Sequence, residues 1–399
     1  MYIFAGRNEK IMAAKTNYDK NGRQYYRVTA TVAKDATGKA IRKEFYGKSK
    51  KDAETKKDTY LQALKSGLNV DHQEILLRDL MKTWLFEVLF ISDKIKPSTF
   101  DRYEGIYRNY IVNSELAHLK VYSIKSIHLQ RHYNYLFDHG KPASILKNLN
   151  KLLKTFFNYA IAEDYLLKNP CMNIVFPSDS VSTKETDIIP LSDEEIERIK
   201  QVVKDTNLEA FFMTALGSGM RVGELLALTK KDIDFGNAEI HVDKSIKCVK
   251  DIKKDGTYTY KTIVQVPKTK NSIRNIQIPP NLNVYLKKYI ALQKEKYLKN
   301  GLPFTEDSLI FTTESCNYLD NKNLRRSWER ALRRADVPYR NLHNIRHTYA
   351  TKLFEKEVPL KTVQMLLGHS NISITADIYT HVIPKEKVKA VDRLNELFL

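Results

Sequence analysis

"RQYYRVTATVA" (Arg23–Ala33) and "AIRKEFYG" (Ala40–Gly47) alternate apolar with polar positions and are rich in β-branched and aromatic residues, and the "KDATGK" between them has turn chemistry. A period of two marks strands with one buried face, so the pattern predicts a β-hairpin, with room for a third short strand. From Lys50 to Ser66 the spacing changes to that of a helix. Ala53, Tyr60, Leu61 and Leu64 supply its apolar positions, and Gly67 stands where a helix ends. A small sheet backed by one helix is expected over residues 1–68. From Leu76 to about Leu167 the helical spacing persists with few strand signals. There, Ser98 and Asp101 have the separation of a capping pair, ahead of Tyr103, Tyr107 and Tyr110 on one face. "ASILKNLNKLLKTFFNYAIAEDYL" places Ile145, Leu149, Leu152, Phe156 and Ala160 on one side and Lys147, Lys151 and Lys154 on another. Pro170 in "KNPC" is expected to stop this all-α domain, assigned to residues 75–172.

Residues 176–188, within "FPSDSVSTKETDIIP", offer almost nothing to bury and read as a linker, a hinge between two lobes. A third domain, 189–399, opens with "LSDEEIERI", in which Ser192 and Glu195 form a capping box. Its helices are interrupted from about Glu239 to Pro279 by the strand-like "EIHVD", "YKTIVQV" and "IRNIQI", with "KKDGT" and "KTKNS" as turns. The fold class expected is α+β and multidomain: a small β-sheet plus helix, then an all-α domain, then a mainly α domain with a β-hairpin insert. No internal repeat or low-complexity segment interrupts this plan.

Composition sharpens the picture. A chain of 399 residues, 42% apolar, can bury sizeable cores. No stretch approaches 18 uninterrupted apolar residues, and "MYIFAGRNEKIMAAK" is too charged for a secretory signal, so a cytoplasmic protein with no membrane partner is expected. Cys171, Cys248 and Cys316 form no CxxC pair and read as reduced thiols. Against 47 acidic residues stand 66 Lys and Arg, a net charge of +19. Residues 1–68 hold 16 basic and 7 acidic side chains, so nearly half the excess comes from about a sixth of the chain. Such an excess favours a polyanionic partner, although a lysine-rich surface can also serve solubility alone. The lysine face of 147, 151 and 154 is open to the same two readings: solvated or phosphate-facing.

"LHNIRHTYATKLFEKEVPLKTVQMLLGHS" (Leu342–Ser370) holds three histidines and one arginine. His343 and His347 have the spacing of metal ligands on a helix. Arg346 between them would repel a dication, and no glutamate stands where HExxH needs its base, so neither a metal nor another cofactor is expected. The polar groups could instead cap or pair locally. Other segments widen the choice. "TALGSGMRVGELLAL" puts Arg221 after a glycine-rich turn at the start of a helix, with Glu224 three residues on to orient its guanidinium. "LLGHSNISITADIYTHV" ends a helix at Gly368, exposes His369 and places Tyr379 ten residues later.

With "SGMRVGELLAL", "LHNIRHTYAT", "LLGHSNIS" and "IYTHV" in order, the chain resembles the tyrosine recombinases, the integrases of phages and conjugative transposons, over residues 189–385. The resemblance extends more loosely to a helical core-binding domain and to an arm-type DNA-binding domain at residues 1–68. It implies a site-specific recombinase that joins DNA to Tyr379 through a 3′-phosphotyrosine and so needs neither ATP nor metal. Arg221 and Arg346 would bind the nonbridging oxygens, His343 would help deprotonate Tyr379, and His369 would hydrogen-bond the phosphate. His347 has no counterpart and is assigned to packing. A lysine on a hairpin turn would protonate the 5′ oxygen. "VPKTKNSIRNI" favours Lys268, with Lys270 the alternative. DNA contacts are expected from Lys147, Lys151 and Lys154, and from Arg23, Arg27, Arg42 and Lys43. The implied partners are core and arm sites on double-stranded DNA, a homotetramer spanning two duplexes, and an accessory directionality or DNA-bending protein. "KEKVKAVDRLNELFL" either docks on a neighbouring subunit or folds back on its own domain. A type IB-like topoisomerase shares the nucleophile and arginines, and a non-catalytic DNA-binding regulator could share the fold.

Overall fold

The computed structural model describes residues 18–20, 23–34, 39–65, 74–92, 95–177, 189–253, 255–266 and 272–379. Gly67, most of the linker and the C-terminal segment "KEKVKAVDRLNELFL" lie outside them. The chain divides into two compact units between residues 181 and 182. The architecture is multidomain α+β.

At the N-terminus β1 (Tyr18–Lys20), β2 (Arg23–Lys34) and β3 (Ala40–Gly47) form an antiparallel sheet backed by α1 (Lys50–Lys65). Val28 pairs with Phe45 and Ala30 with Lys43. Phe45 meets Tyr60 of α1 edge to face at 5.2 Å, and Ala53 is fully buried. Successive strand residues face opposite ways. Lys43 therefore turns with Phe45 toward the helix and lays its ammonium 4.4 Å from the Tyr60 ring centre. Its neighbour Arg42 belongs to the other face and is exposed.

The second domain contains α2 (Leu77–Thr83), a π-helical turn over Trp84–Leu89, α3 (Pro97–Tyr110), α4 (Ser126–Asp138) and α5 (Ala143–Ala162). Leu149, Leu152, Phe156 and Ala160 are buried, and Trp84 packs edge-on to Phe156 at 5.5 Å. Lys147, Lys151 and Lys154 are exposed. One expectation needs correcting. Ser98 is not a cap: α3 starts at Pro97, whose fixed φ and missing N–H suit the first helical position, and Lys96 precedes it with no side-chain cap bond. Within the domain, α5 ends ahead of Pro170. Asp164, at φ 58°, ends it six residues earlier, with Tyr165 N–H donating to Ala160 O at 2.8 Å and Asp164 N–H to Ile161 O at 3.1 Å. That is a Schellman closure with aspartate where glycine is commoner, and so it is hard to read in sequence.

The third domain runs through α6 (Asp193–Val203), α7 (Asn207–Ser218) and α8 (Val222–Leu226). Strands β4 (Ile233–Asp234), β5 (Glu239–Val242), β6 (Ser245–Ile252), β7 (Tyr258–Gln265) and β8 (Arg274–Gln277) follow. Helices α9 (Pro280–Lys299), α10 (Asn321–Arg334), α11 (His343–Glu355), α12 (Leu360–Leu367) and α13 (Ile372–Tyr379) complete it. The strands form a β4–β5–β8 sheet and a β6–β7 hairpin. β6 was not among the expected strands because its buried Ile246, Val249 and Ile252 are spaced three apart, which reads as helix.

Phe211, Phe212, Ile240, Ile276, Phe311 and Trp328 centre the main core, with Phe212 stacked on Trp328 at 5.6 Å. A smaller cluster of Tyr349, Phe354, Val363, Leu367 and Ile378 joins α11, α12 and α13. The capping box is present: Ser192 and Glu195 exchange bonds, and Glu195 also pairs with Arg340 at 2.9 Å. Leu191 N–H donates to Thr348 Oγ1 at 3.0 Å and Lys352 pairs with Asp193 at 2.8 Å, fixing the domain's first residues to α11.

Gly219 ends α7 in the left-handed conformation at φ 62°, and a Cβ there would lie 2.3 Å from the Tyr349 ring. Gly219→Ala should therefore destabilise the domain by about 2 kcal/mol or more, combining left-handed strain with overpacking. Thermal unfolding of the full chain reads this as a lower midpoint, and an unchanged midpoint contradicts it.

Candidate active site

The site is assembled where two helices end. After Gly219 the chain turns, and Arg221 becomes the residue that precedes α8. Glu224, three residues on, is 4% exposed, and its carboxylate accepts the Arg221 N–H at 2.9 Å and Arg221 Nη1 at 2.8 Å. The spacing read in the sequence thus places acid and guanidinium together at a helix N-terminus, where a negative charge is favoured.

The second end is that of α12. Gly368 closes it at φ 64°, leaving carbonyls that no helical N–H reaches. Three consecutive ones are taken by three arginines. Leu366 O accepts from Arg274 Nε at 3.0 Å, Leu367 O from Arg346 Nη2, and Gly368 O from Arg221 Nη2 at 3.4 Å. Arg346 also donates through Nη1 to Gly219 O at 2.8 Å, so it bridges both helix ends. It is 2% exposed, and its Nε has no hydrogen-bond partner among the described residues. Arg274, the first residue of β8, did not stand out in the sequence. It grips both oxygens of Glu224, which Arg221 also bonds, at 3.2 and 2.9 Å.

His343 opens α11 and keeps an exposed edge, its ring meeting His347 edge to face at 4.7 Å. His369 is buried directly after Gly368, and its Nδ1 lies 2.9 Å from Thr375 Oγ1 on α13. The last residue of α13 is Tyr379, four residues beyond Thr375; its side chain, like Lys268 and Lys270, is outside the described residues.

Three guanidiniums against one carboxylate leave the centre strongly positive. Burial raises the Glu224 carboxyl, but hydrogen bonds and charge from Arg274, followed by Arg221, outweigh it and hold the pKa at about 2. Burial and the charges of Arg221 and Arg274 press the Arg346 pKa down, but a guanidinium starts so far above neutrality that it stays charged. Desolvation, then Arg346 and Arg221, lower the His343 pKa, and the same causes bring His369 to about 3. Both imidazoles are therefore neutral at pH 7. The arrangement suits a bound anion: positive charge is in excess, and two neutral imidazoles stand beside it.

Of the expected DNA contacts, Arg27 pairs with Glu44 at 3.1 Å, Arg42 is exposed, and the Arg23 side chain is outside the described residues. Helix α10 was not singled out, yet it buries Leu324, Trp328, Ala331 and Leu332 and exposes Lys322, Arg325, Arg326, Arg330, Arg333 and Arg334. Its arginines were legible as charge, but the alternation with buried positions reads first as a solvated helix face.

Residues 190–386 match the phage integrase family, and residues 76–137 match the N-terminal SAM-like domain of phage integrases. The tyrosine recombinase XerC-like protein of Caldanaerobacter subterraneus subsp. tengcongensis is 55% identical over 393 residues, covering 97% of this chain and 100% of that one. Among solved structures, the Tn1549 transposon integrase with a circular intermediate DNA aligns at TM-score 0.62 and 21% identity, over 76% of this chain and 95% of that one. A lambda integrase tetramer bound to a Holliday junction aligns at TM-score 0.54 and 20% identity, over 90% and 92%. At those identities the two structures speak for the fold alone. The chain belongs to the phage integrase family of tyrosine recombinases. It is a site-specific recombinase that acts on DNA through phosphotyrosine chemistry.

In the free protein, ¹⁵N-histidine NMR should find His343 and His369 titrating below the ordinary imidazole value of about 6.5, His369 near 3. A depressed pKa leaves each ring uncharged until the pH falls past it. A midpoint above the ordinary value for either ring contradicts the electrostatics described.

Proposed function

We propose that this recombinase integrates and excises a mobile DNA element, with Arg221, His343, Arg346, His369 and Tyr379 as its catalytic residues. The observation that carries the reading is the arginine cluster at the end of α12, with both imidazoles beside it and His369 bonded to Thr375 on the helix that ends in Tyr379. Tyr379 Oη attacks a DNA phosphorus and the bond from phosphorus to the 5′ oxygen breaks, leaving a 3′-phosphotyrosine and a free 5′ hydroxyl. The phenolic proton passes to neutral His343, and Lys268, or Lys270 in its place, gives a proton to the departing oxygen. Arg221 and Arg346 stabilise the charge that builds on the nonbridging oxygens. A strand with a 5′ hydroxyl then reverses the step, and because the ester retains the bond energy no ATP is consumed.

Residues 189–399 form the catalytic domain in this reading and 75–172 the core-binding domain, joined by the linker at 176–188. Lys147, Lys151 and Lys154 face the DNA backbone, and residues 1–68 hold arm sites through Arg23, Arg27 and Arg42. Lys43 is set aside from that surface because it covers Tyr60. A homotetramer on two duplexes, helped by a directionality or DNA-bending protein, would carry out the exchange, and the chain would work in the cytoplasm. Among the described residues no helix is long and apolar enough to cross a membrane.

The test uses nicked duplexes of randomised sequence, from which a cleaving enzyme loses a short fragment and becomes trapped on DNA. Wild type should give an SDS-resistant adduct whose DNA, once sequenced, identifies the core site. Tyr379→Phe should bind that duplex and give no adduct. Adducts from the phenylalanine variant would show the nucleophile to be misassigned, relaxation of supercoils without sequence choice would favour a topoisomerase, and binding without any adduct would favour a regulator.

A further inference from the structure

Arg274 is bonded both to Glu224 of α8 and to the end of α12. Its side chain is 6% exposed. Nε donates to Leu366 O at 3.0 Å, Nη1 to Glu224 Oε1 at 3.2 Å and to Ser272 O at 3.3 Å, and Nη2 to Glu224 Oε2 at 2.9 Å. All three nitrogens are thus engaged inward. Arg221, by contrast, spends Nη1 on Glu224 and makes a longer contact through Nη2, and its side chain keeps 36% exposure for a ligand.

Each oxygen of Glu224 is shared between the two arginines. Oε1 accepts from Arg221 Nη1 and Arg274 Nη1, and Oε2 from the Arg221 N–H and Arg274 Nη2. A carboxylate gripped by a planar fork has its plane fixed as well as its position. With Arg274 removed, Glu224 keeps Arg221 alone as a charged partner among the described residues and can turn about its side-chain bonds. The guanidinium that it orients would then lose its fixed direction. The same fork reaches Leu366 O, one residue before the carbonyl held by Arg346 and two before the one held by Arg221.

We infer that Arg274 is a positioning residue for strand cleavage: through Glu224 and the end of α12 it sets the direction of Arg221 without contacting DNA. This rests on the phosphate-binding role proposed for Arg221. The mechanism predicts a loss in the chemical step and not in binding, because the geometry of a charge-stabilising donor matters most in the transition state.

Single-turnover adduct formation on the duplex captured with wild type measures the step, and filter binding of the same duplex measures affinity. Arg274→Gln should slow adduct formation on the order of 100-fold, as misplacement of a catalytic group by about 1 Å does, with an unchanged dissociation constant. Glu224→Gln should also slow it, and the double variant should be no slower than the slower single one, since both changes break one chain of contacts. Guanidinium ion added to Arg274→Ala should restore part of the rate, which loss of a merely structural contact would not allow. Should the glutamine variant fail to fold, Arg274→Lys, which keeps the charge without the fork, carries the same expectation. A wild-type rate in a folded Arg274 variant, additive losses in the double variant, or a rate loss matched by weaker binding overturns the inference alone. Absence of any wild-type adduct overturns the parent reading, and this one with it.

Discussion

Three guanidiniums anchored on three successive carbonyls at the end of α12 are the constraint from which the rest of the site follows. A helix C-terminus presents carbonyls without partners and the negative end of the helix dipole, so it draws cations. Here the cations come from the turn after α7, from the start of β8 and from α11. Positions 221, 274 and 346 are far apart in sequence, and the end of one short helix brings them together. Gly368 makes this possible, since its left-handed backbone closes the helix and sets His369 directly beside the cluster.

The same gathering explains the electrostatics. Arginines held this close repel one another, and among the described residues bonded to them only Glu224 is negative. A phosphodiester supplies the negative charge that balances these guanidiniums, so the site suits such an anion. Neutral histidines go with it: burial first, and then the field that attracts phosphate, keep His343 and His369 unprotonated. When phosphate arrives, the positive field at the imidazoles falls and each becomes a better proton acceptor. Binding of the substrate thus readies the proposed base to accept the proton of the tyrosine.

Much of this was legible in sequence, and what was not has physical causes. The hairpin of Arg23–Ala33 and Ala40–Gly47 followed from alternation, β-branched and aromatic content and turn chemistry, and α6 from its capping box, because these signals are local. The end of α5 at Ala162 escaped notice because aspartate occupies the left-handed position that glycine usually marks. Strand β6 is hidden because its buried positions, Ile246, Val249 and Ile252, lie three apart and do not follow a two-residue period. Arg221 and Glu224 could be paired by their spacing, whereas Arg274 meets Glu224 across fifty positions, a contact that only the folded chain creates. The neutral state of His369 was equally hidden, since it depends on burial and on arginines from other elements.

The most direct measurement of the central claim is a structure of the full chain with core-site DNA and orthovanadate, which mimics the five-coordinate phosphorus of the transition state. The account requires Arg221 and Arg346 to donate to the equatorial oxygens while the end of α12 keeps its arginine contacts, with the Tyr379 oxygen at an apical position. Vanadate bound away from these arginines, or an α12 end released from all three, would contradict it.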